Sequence, residues 1–164
     1  MTKAELLALT PTDFNFEKKT LRINKSYQRL EGEDVITDPK TTKSNRTIVM
    51  PDFLAIEMED FIKSIYGIKM NDRIFTISKS YLHHEMDRGA KLAGVKRIRI
   101  HGLRHSHISL LINLGFSALA IGERVGHEAI DITYHYAHLF PTVQTDMAAQ
   151  LEKEREALVN VKKE

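Results

Sequence analysis

The 164-residue chain reads as an α+β domain, mainly helical, in which helices pack with a small three-stranded antiparallel sheet. Two patterns and a composition predict this. Three short segments of strand character, TLRINKSYQ, DVITDP and RTIVMP, crowd the first fifty or so residues, with turn-rich LEGE and TTKSN between them. From Asp52 onward the apolar residues recur at helical rather than alternating spacing. A hydrophobic content of 42% over 164 residues suits one core and leaves little room for a second.

The elements follow in order. Leu6 and Leu9 lie three apart and Pro11 stops propagation, so the first ten residues read as the end of a helix. The chain is thus expected to open inside an element, with something once joined upstream of Met1. The three strand segments then suggest one antiparallel meander. A helix capped by Asp52 should carry Leu54, Met58, Phe61, Ile62 and Ile65 on one face and end at Gly67. A brief RIFTIS segment leads to a helix from about Ser80 to Ala93, closed by Gly94. Past HGLRH, an inner stripe of Ile108, Leu111 and Ile112 runs to Gly115, and Ser117 can cap a further helix that ends at Gly126, with His127 next. From Pro141 the tail is charged, with sparse apolar residues Met147, Leu151 and Leu158.

Composition removes several classes of function. No apolar run approaches the length of a bilayer crossing, and MTKAELLALT lacks the pattern of a secretory signal, so a cytoplasmic protein is expected. With no cysteine there are neither disulfides nor thiolate zinc sites. The net charge of +2 carries little by itself, but basic residues cluster at 38–46 and 96–105 and permit a cationic face.

One constellation stands out. His101, Arg104 and His105 form an H-x-x-R-H box at a helix entrance; Gly126-His127 follows, then Tyr136 nine residues on, and His138 after it. HGLRHSHISLLINLG resembles the second box of the tyrosine recombinases, the phage-integrase family, and VGHEAIDITYHYAHL resembles its G-H to tyrosine box. ITDPKTTKSNRTIVMP is similar to the strand-turn-strand that carries the family's lysine, and AELLALTPTDFNFEKKTLRI to the segment opening its catalytic domain, with Glu5 and Leu9 in register. The resemblance covers residues 1–140, which makes 1–140 the expected catalytic domain and 141–164 a helical tail. With the resemblance confined to the catalytic half, the family's amino-terminal DNA-clasping domains are expected to be absent.

The resemblance implies site-specific DNA recombination or integration, as in mobile elements such as phages and transposons. Tyr136 would attack phosphorus and hold the DNA 3′ end as a phosphotyrosine, conserving the bond for a second strand. Its neighbour Tyr134 is the weaker candidate, given the nine-residue spacing from His127. Arg104 would grip the nonbridging oxygens, His101 and His127 would donate further hydrogen bonds or manage the tyrosine proton, and Lys40 would protonate the leaving 5′ oxygen. His105 and His107 would support the site or pack locally. No cofactor or metal is implied, and the boxes hold no paired carboxylates of the two-metal type. The partners implied are double-stranded DNA and, on DNA, a homo-tetramer that exchanges residues 139–164; the isolated domain could stay monomeric.

One position departs from the pattern. Where the family reads R-x-G-E, this chain has Thr2, Lys3, Ala4 and Glu5, so the first catalytic arginine is missing. Lys3 is rotated by about 100° on a helix and lacks the guanidinium fork. A weakened enzyme and a DNA-binding relic of a recombinase therefore both stay open, as does the strand-swivelling topoisomerase activity that uses the same chemistry. A zinc hydrolase built on His101, His105 and His127 is the alternative from another class, although it lacks the glutamate of an H-E-x-x-H site. Each residue also has a purely structural reading: His101 as a helix cap, Arg104 paired with Glu123 or Asp131, His127 as a residue past a helix end, and Tyr136 as core.

Overall fold

The computed structural model describes residues 1–39, 44–127, 129–136, 139, 147–153 and 155. Among the described residues the elements run α1 (Lys3–Leu7), β1 (Phe14–Asn15), β2 (Thr20–Ile23), β3 (Ser26–Leu30), β4 (Glu33–Thr37), β5 (Arg46–Val49), α2 (Asp52–Ser64), α3 (Lys79–Leu92), α4 (Ile100–Asn113), α5 (Ala118–Val125) and α6 (Ala129–Tyr136), and residues 147–153 of the tail are helical. The mainly helical class with a three-stranded antiparallel sheet is as expected. That sheet runs in the order β1-β2-β5, and β3 and β4 form a separate hairpin.

The run TLRINKSYQ is therefore one segment by pattern and two strands in space. It breaks at Asn24-Lys25, where Lys25 Nζ lies 2.7 Å from the buried Asp13 carboxylate and donates to Thr10 Oγ1 at 2.8 Å. β2 then pairs with β5, Ile23 opposite Arg46, while β3 folds back on β4 across Glu31-Gly32. Both turn residues have positive φ, 51° and 90°, the twist that a two-residue hairpin requires and that glycine supplies at the second place without strain. Arg73 fastens this hairpin to α1: its guanidinium pairs with Asp34, sits 4.1 Å over the Tyr27 ring and donates to Leu7 O.

Two apolar clusters carry most of the packing. Leu9, Leu21, Ile23, Met50, Ala55 and Ile74 are buried between the sheet and α2. Ile108, Ile112, Ile121, Val125 and Ile132 are buried among α4, α5 and α6, with Tyr136 and Leu139 packed against them. At the N-terminus of α2 the cap is Pro51, so Asp52 is not the N-cap but the first helical residue, and its carboxylate pairs with Lys19 at 2.9 Å. Ser78 caps α3 by accepting from Tyr81 N, and Ser117 caps α5 by accepting from Ala120 N, as its position before an apolar run predicts. α1 begins on its own capping box: Thr2 Oγ1 accepts from Glu5 N, and Glu5 Oε2 accepts from Thr2 N. No described helix is long and apolar enough to cross a membrane.

Candidate active site

α4 begins at Ile100, so the box residues His101, Arg104 and His105 fall at i, i+3 and i+4 and share one face of its first turns. His101 is exposed and the N-cap of α4 is Arg99, so a capping role for His101 does not hold. Arg104 is buried at 8% exposure and lies against the end of α5, where its Nη2 donates to Val125 O. Its bond is to a backbone carbonyl, not to Glu123 or Asp131, and among the described residues it is the guanidinium's one hydrogen bond.

The end of α5 is where the parts meet. Gly126 turns left-handed at φ 73°, and the backbone N–H groups of Gly126 and His127 both donate to Gly122 O, at 2.8 and 3.0 Å. The next carbonyls go to arginines, Arg124 O accepting from Arg46 Nε at 3.2 Å and Val125 O from Arg104. Two cations thus sit on the negative end of one short helix. His127 projects from its terminus, exposed to solvent.

Tyr136 closes the arrangement from α6. Its ring packs on the α4–α6 core while its hydroxyl meets His105 Nδ1, with ring centroids 5.9 Å apart. His101 stands edge-on to His105, centroids 5.0 Å apart. Tyr134 turns the other way, 84% exposed. Tyr136 is therefore both a packing residue and a member of the cluster, which Tyr134 is not.

Electrostatics bind the group further. Burial lowers the proton affinity of the His101 and His127 imidazoles, and the Arg104 charge adds to this in both. The Tyr136 phenol is pushed above its ordinary range by burial, with Arg104 pulling the other way. His101, His127 and Tyr136 all feel the same guanidinium, so they form one electrostatic neighbourhood. His107 lies apart, within 3.3 Å of Arg124 Nε.

Arg46, which the sequence reading passed over within a basic run, is the largest addition. Its guanidinium makes a bidentate pair with Glu5, Nη1 to Oε1 at 3.0 Å and Nη2 to Oε2 at 3.3 Å, and donates to Ser44 O and Arg124 O. The two side chains are only 7% and 10% exposed. Burial disfavours the Glu5 carboxylate, but hydrogen bonds and charge from Arg46 outweigh it and hold Glu5 below the usual carboxylate range. Arg46 thus ties α1, β5 and α5 together beside Arg104, whose charge it opposes. The available signal was alternation: Arg46, Ile48 and Met50 share the inward side of β5 and its extension, and an inward arginine needs a buried partner.

In the opening segment the Thr2 hydroxyl serves as the cap of α1, and Lys3 Nζ lies 3.4 Å from His83 Nε2 on α3. Lys40 and His138 lie outside the described residues. Among the described residues no three His, Asp or Glu side chains converge as a metal site would require, so His101, His105 and His127 do not form the zinc set considered above.

The family model described as the phage integrase family matches residues 1–142. The ICEBs1 integrase of Bacillus subtilis is 29% identical over 162 residues, covering 90% of this chain and 44% of that protein. The integrase of Staphylococcus phage L54a is 30% identical over 171 residues, covering 93% and 48%. The chain thus spans about half the length of the curated relatives it matches. Among solved structures, the Tn1549 transposon integrase in complex with circular intermediate DNA superposes with a TM-score of 0.69 at 20% identity, covering 94% of this chain and 55% of that one. The XerA recombinase gives 0.64 at 18% identity, covering 89% and 51%. By sequence over most of its length and by fold, the chain belongs to the phage integrase family of tyrosine recombinases.

Proposed function

We propose that this chain is the strand-cleaving and rejoining unit of a site-specific DNA recombinase, acting through a 3′-phosphotyrosyl intermediate on Tyr136. The observation that carries the reading is the convergence of His101, Arg104, His127 and Tyr136, from α4, the end of α5 and α6, around one guanidinium. Phosphodiester cleavage needs a nucleophile, donors for the charge growing on the nonbridging oxygens and an acid for the leaving alkoxide. Tyr136 supplies the first, and Arg104 with the two imidazoles the second. Lys40, on the connection between β4 and β5, supplies the third. Double-stranded DNA is the substrate, in keeping with the Tn1549 integrase complexes and with the basic run at 96–105.

Thr2 favours a second form of the same reading, a recombinase weakened at one position. With Thr2 occupied as a helix cap, one donor to the transition state is lost, a loss that commonly costs about 10²- to 10³-fold in rate. Arg46 holds a guanidinium beside Glu5, but four of its five N–H groups are engaged with Glu5 and two backbone carbonyls, so it organises the site rather than gripping phosphate as a fork. On DNA the assembly is a homo-tetramer, with residues 139–164 exchanged between neighbours.

The test is covalent trapping. Nicked duplexes carrying the sequences that flank the gene are incubated with the protein and run on a denaturing gel. A protein–DNA adduct present in the wild type and in Tyr134→Phe but absent in Tyr136→Phe supports the reading. Binding without an adduct in any version overturns it in favour of a DNA-binding relic.

A further inference from the structure

We propose that His105, rather than either histidine named above, is the general base that takes the proton from Tyr136. This rests on the reading of Tyr136 as the nucleophile. His105 follows Arg104 directly on α4, so while Arg104 turns down to Val125 O, the His105 ring turns toward α6 and places Nδ1 against the Tyr136 hydroxyl. Among the described residues it is the one side chain hydrogen-bonded to that hydroxyl. His101 stands edge-on to the His105 ring, 5.0 Å between centroids, and His127 feels the Arg104 charge; among the described residues neither is hydrogen-bonded to the Tyr136 hydroxyl.

The chemistry requires such a group. A phenol with an ordinary pKa of about 10 is almost wholly protonated at neutral pH, and burial raises that of Tyr136 further. An imidazole carrying its proton on Nε2 presents an acceptor at Nδ1, the atom that faces the hydroxyl. As the Tyr136 Oη–P bond forms, the phenolic proton passes to His105 Nδ1. The P–O5′ bond breaks with its electron pair on O5′, which takes a proton from Lys40. On rejoining, the imidazolium returns its proton to Oη as the phosphotyrosine leaves. His105 is exposed, so its proton can exchange with solvent between the two steps.

His105→Asn separates basicity from position, because the Asn side chain reaches the place of Nδ1 without accepting a proton. Single-turnover adduct formation on the nicked duplexes, followed from neutral to alkaline pH, should fall about 10²-fold or more at neutral pH. The deficit should narrow as rising hydroxide replaces the base, with duplex affinity unchanged. A second reading needs no DNA: the ¹⁵N resonance of His105 Nδ1 should move in Tyr136→Phe. Cleavage at the wild-type rate in His105→Asn, a deficit equal at every pH, or an unmoved nitrogen resonance overturns the assignment of His105 and leaves the role of Tyr136 intact. No wild-type adduct, or an adduct that persists in Tyr136→Phe, removes the reading of Tyr136 and this inference with it.

Discussion

Arg46 and Glu5 form a buried bidentate ion pair between β5 and α1, 41 residues apart in sequence. Removing one partner of a buried pair leaves an uncompensated charge, at a cost of about 3–5 kcal/mol. Arg46→Ala should destabilise the fold by that amount in urea denaturation and should loosen the end of α5, since Arg124 O loses its donor. A loss below about 1 kcal/mol, the range of exposed pairs, would contradict the burial of this one.

The same pair sets an acid limit. Glu5 binds its proton less readily in the folded chain than an unfolded glutamate does, whose pKa is about 4.3. Its contribution is therefore complete above that range and disappears as pH falls through the lower folded value. Urea midpoints measured down through the acid range should fall more steeply for the wild type than for Glu5→Gln. Parallel curves would show that Glu5 does not titrate differently on folding.

Thr2→Arg puts a guanidinium where the resemblance to R-x-G-E would place one and removes the α1 cap. Adduct formation should rise by up to about 10²- to 10³-fold, while stability drops by about 1 kcal/mol for the lost cap. Loss of stability with no gain in rate would show that this position no longer faces the scissile phosphate.

His101 and His127 both titrate below the ordinary imidazole range, chiefly through burial, with His105 and then Arg104 adding to it at His101 and Arg104 adding to it at His127. They are uncharged at neutral pH and gain charge only as pH falls through their lowered values. Duplex affinity by fluorescence anisotropy should strengthen on acidification, with a salt dependence steeper by roughly 0.9 for each new phosphate contact. The change should flatten in His101→Gln/His127→Gln. An unaltered acid response in that double variant would place both rings away from the phosphates.

Gly126 adopts φ 73° so that its own N–H and that of His127 reach Gly122 O. Gly126→Ala should cost about 1 kcal/mol, by strain at a left-handed position, and should lower cleavage more than binding because it moves His127. Thermal unfolding alongside adduct yield would separate the two effects.

Local signals were readable and distant pairings were not. Ser117 and Gly126 bound α5 because caps and left-handed closures depend on the residue that occupies them. The α4 face carrying His101, Arg104 and His105 followed from helical spacing alone. Asp52 was misplaced by one residue because Pro51, a poor side-chain cap, nonetheless takes the N-cap position ahead of it. The continuous pattern of TLRINKSYQ could not show that Lys25 is drawn to Asp13 and that the chain changes sheets there. Arg46 escaped for a related reason: its partner lies in α1, and a basic run looks alike whether it is solvated or buried. By pattern His105 reads as a residue that supports the site or packs locally, because only the fold of α6 brings Tyr136 against it.

β5 has one further consequence. Its side chains alternate, with Arg46 and Ile48 turned inward and Thr47 and Val49 outward, and its pairing with β2 sets Ile23 opposite Arg46. Lengthening the connection from β4 costs little, about 0.6 kcal/mol per doubling of a flexible loop. Sliding β5 by one residue would send Arg46 into solvent and put Thr47 in its place. The connection between β4 and β5 can thus change in length at little cost, whereas the parity of β5 is fixed. An insertion ahead of β5 therefore leaves the Arg46–Glu5 frame intact, whereas a one-residue slip within it does not.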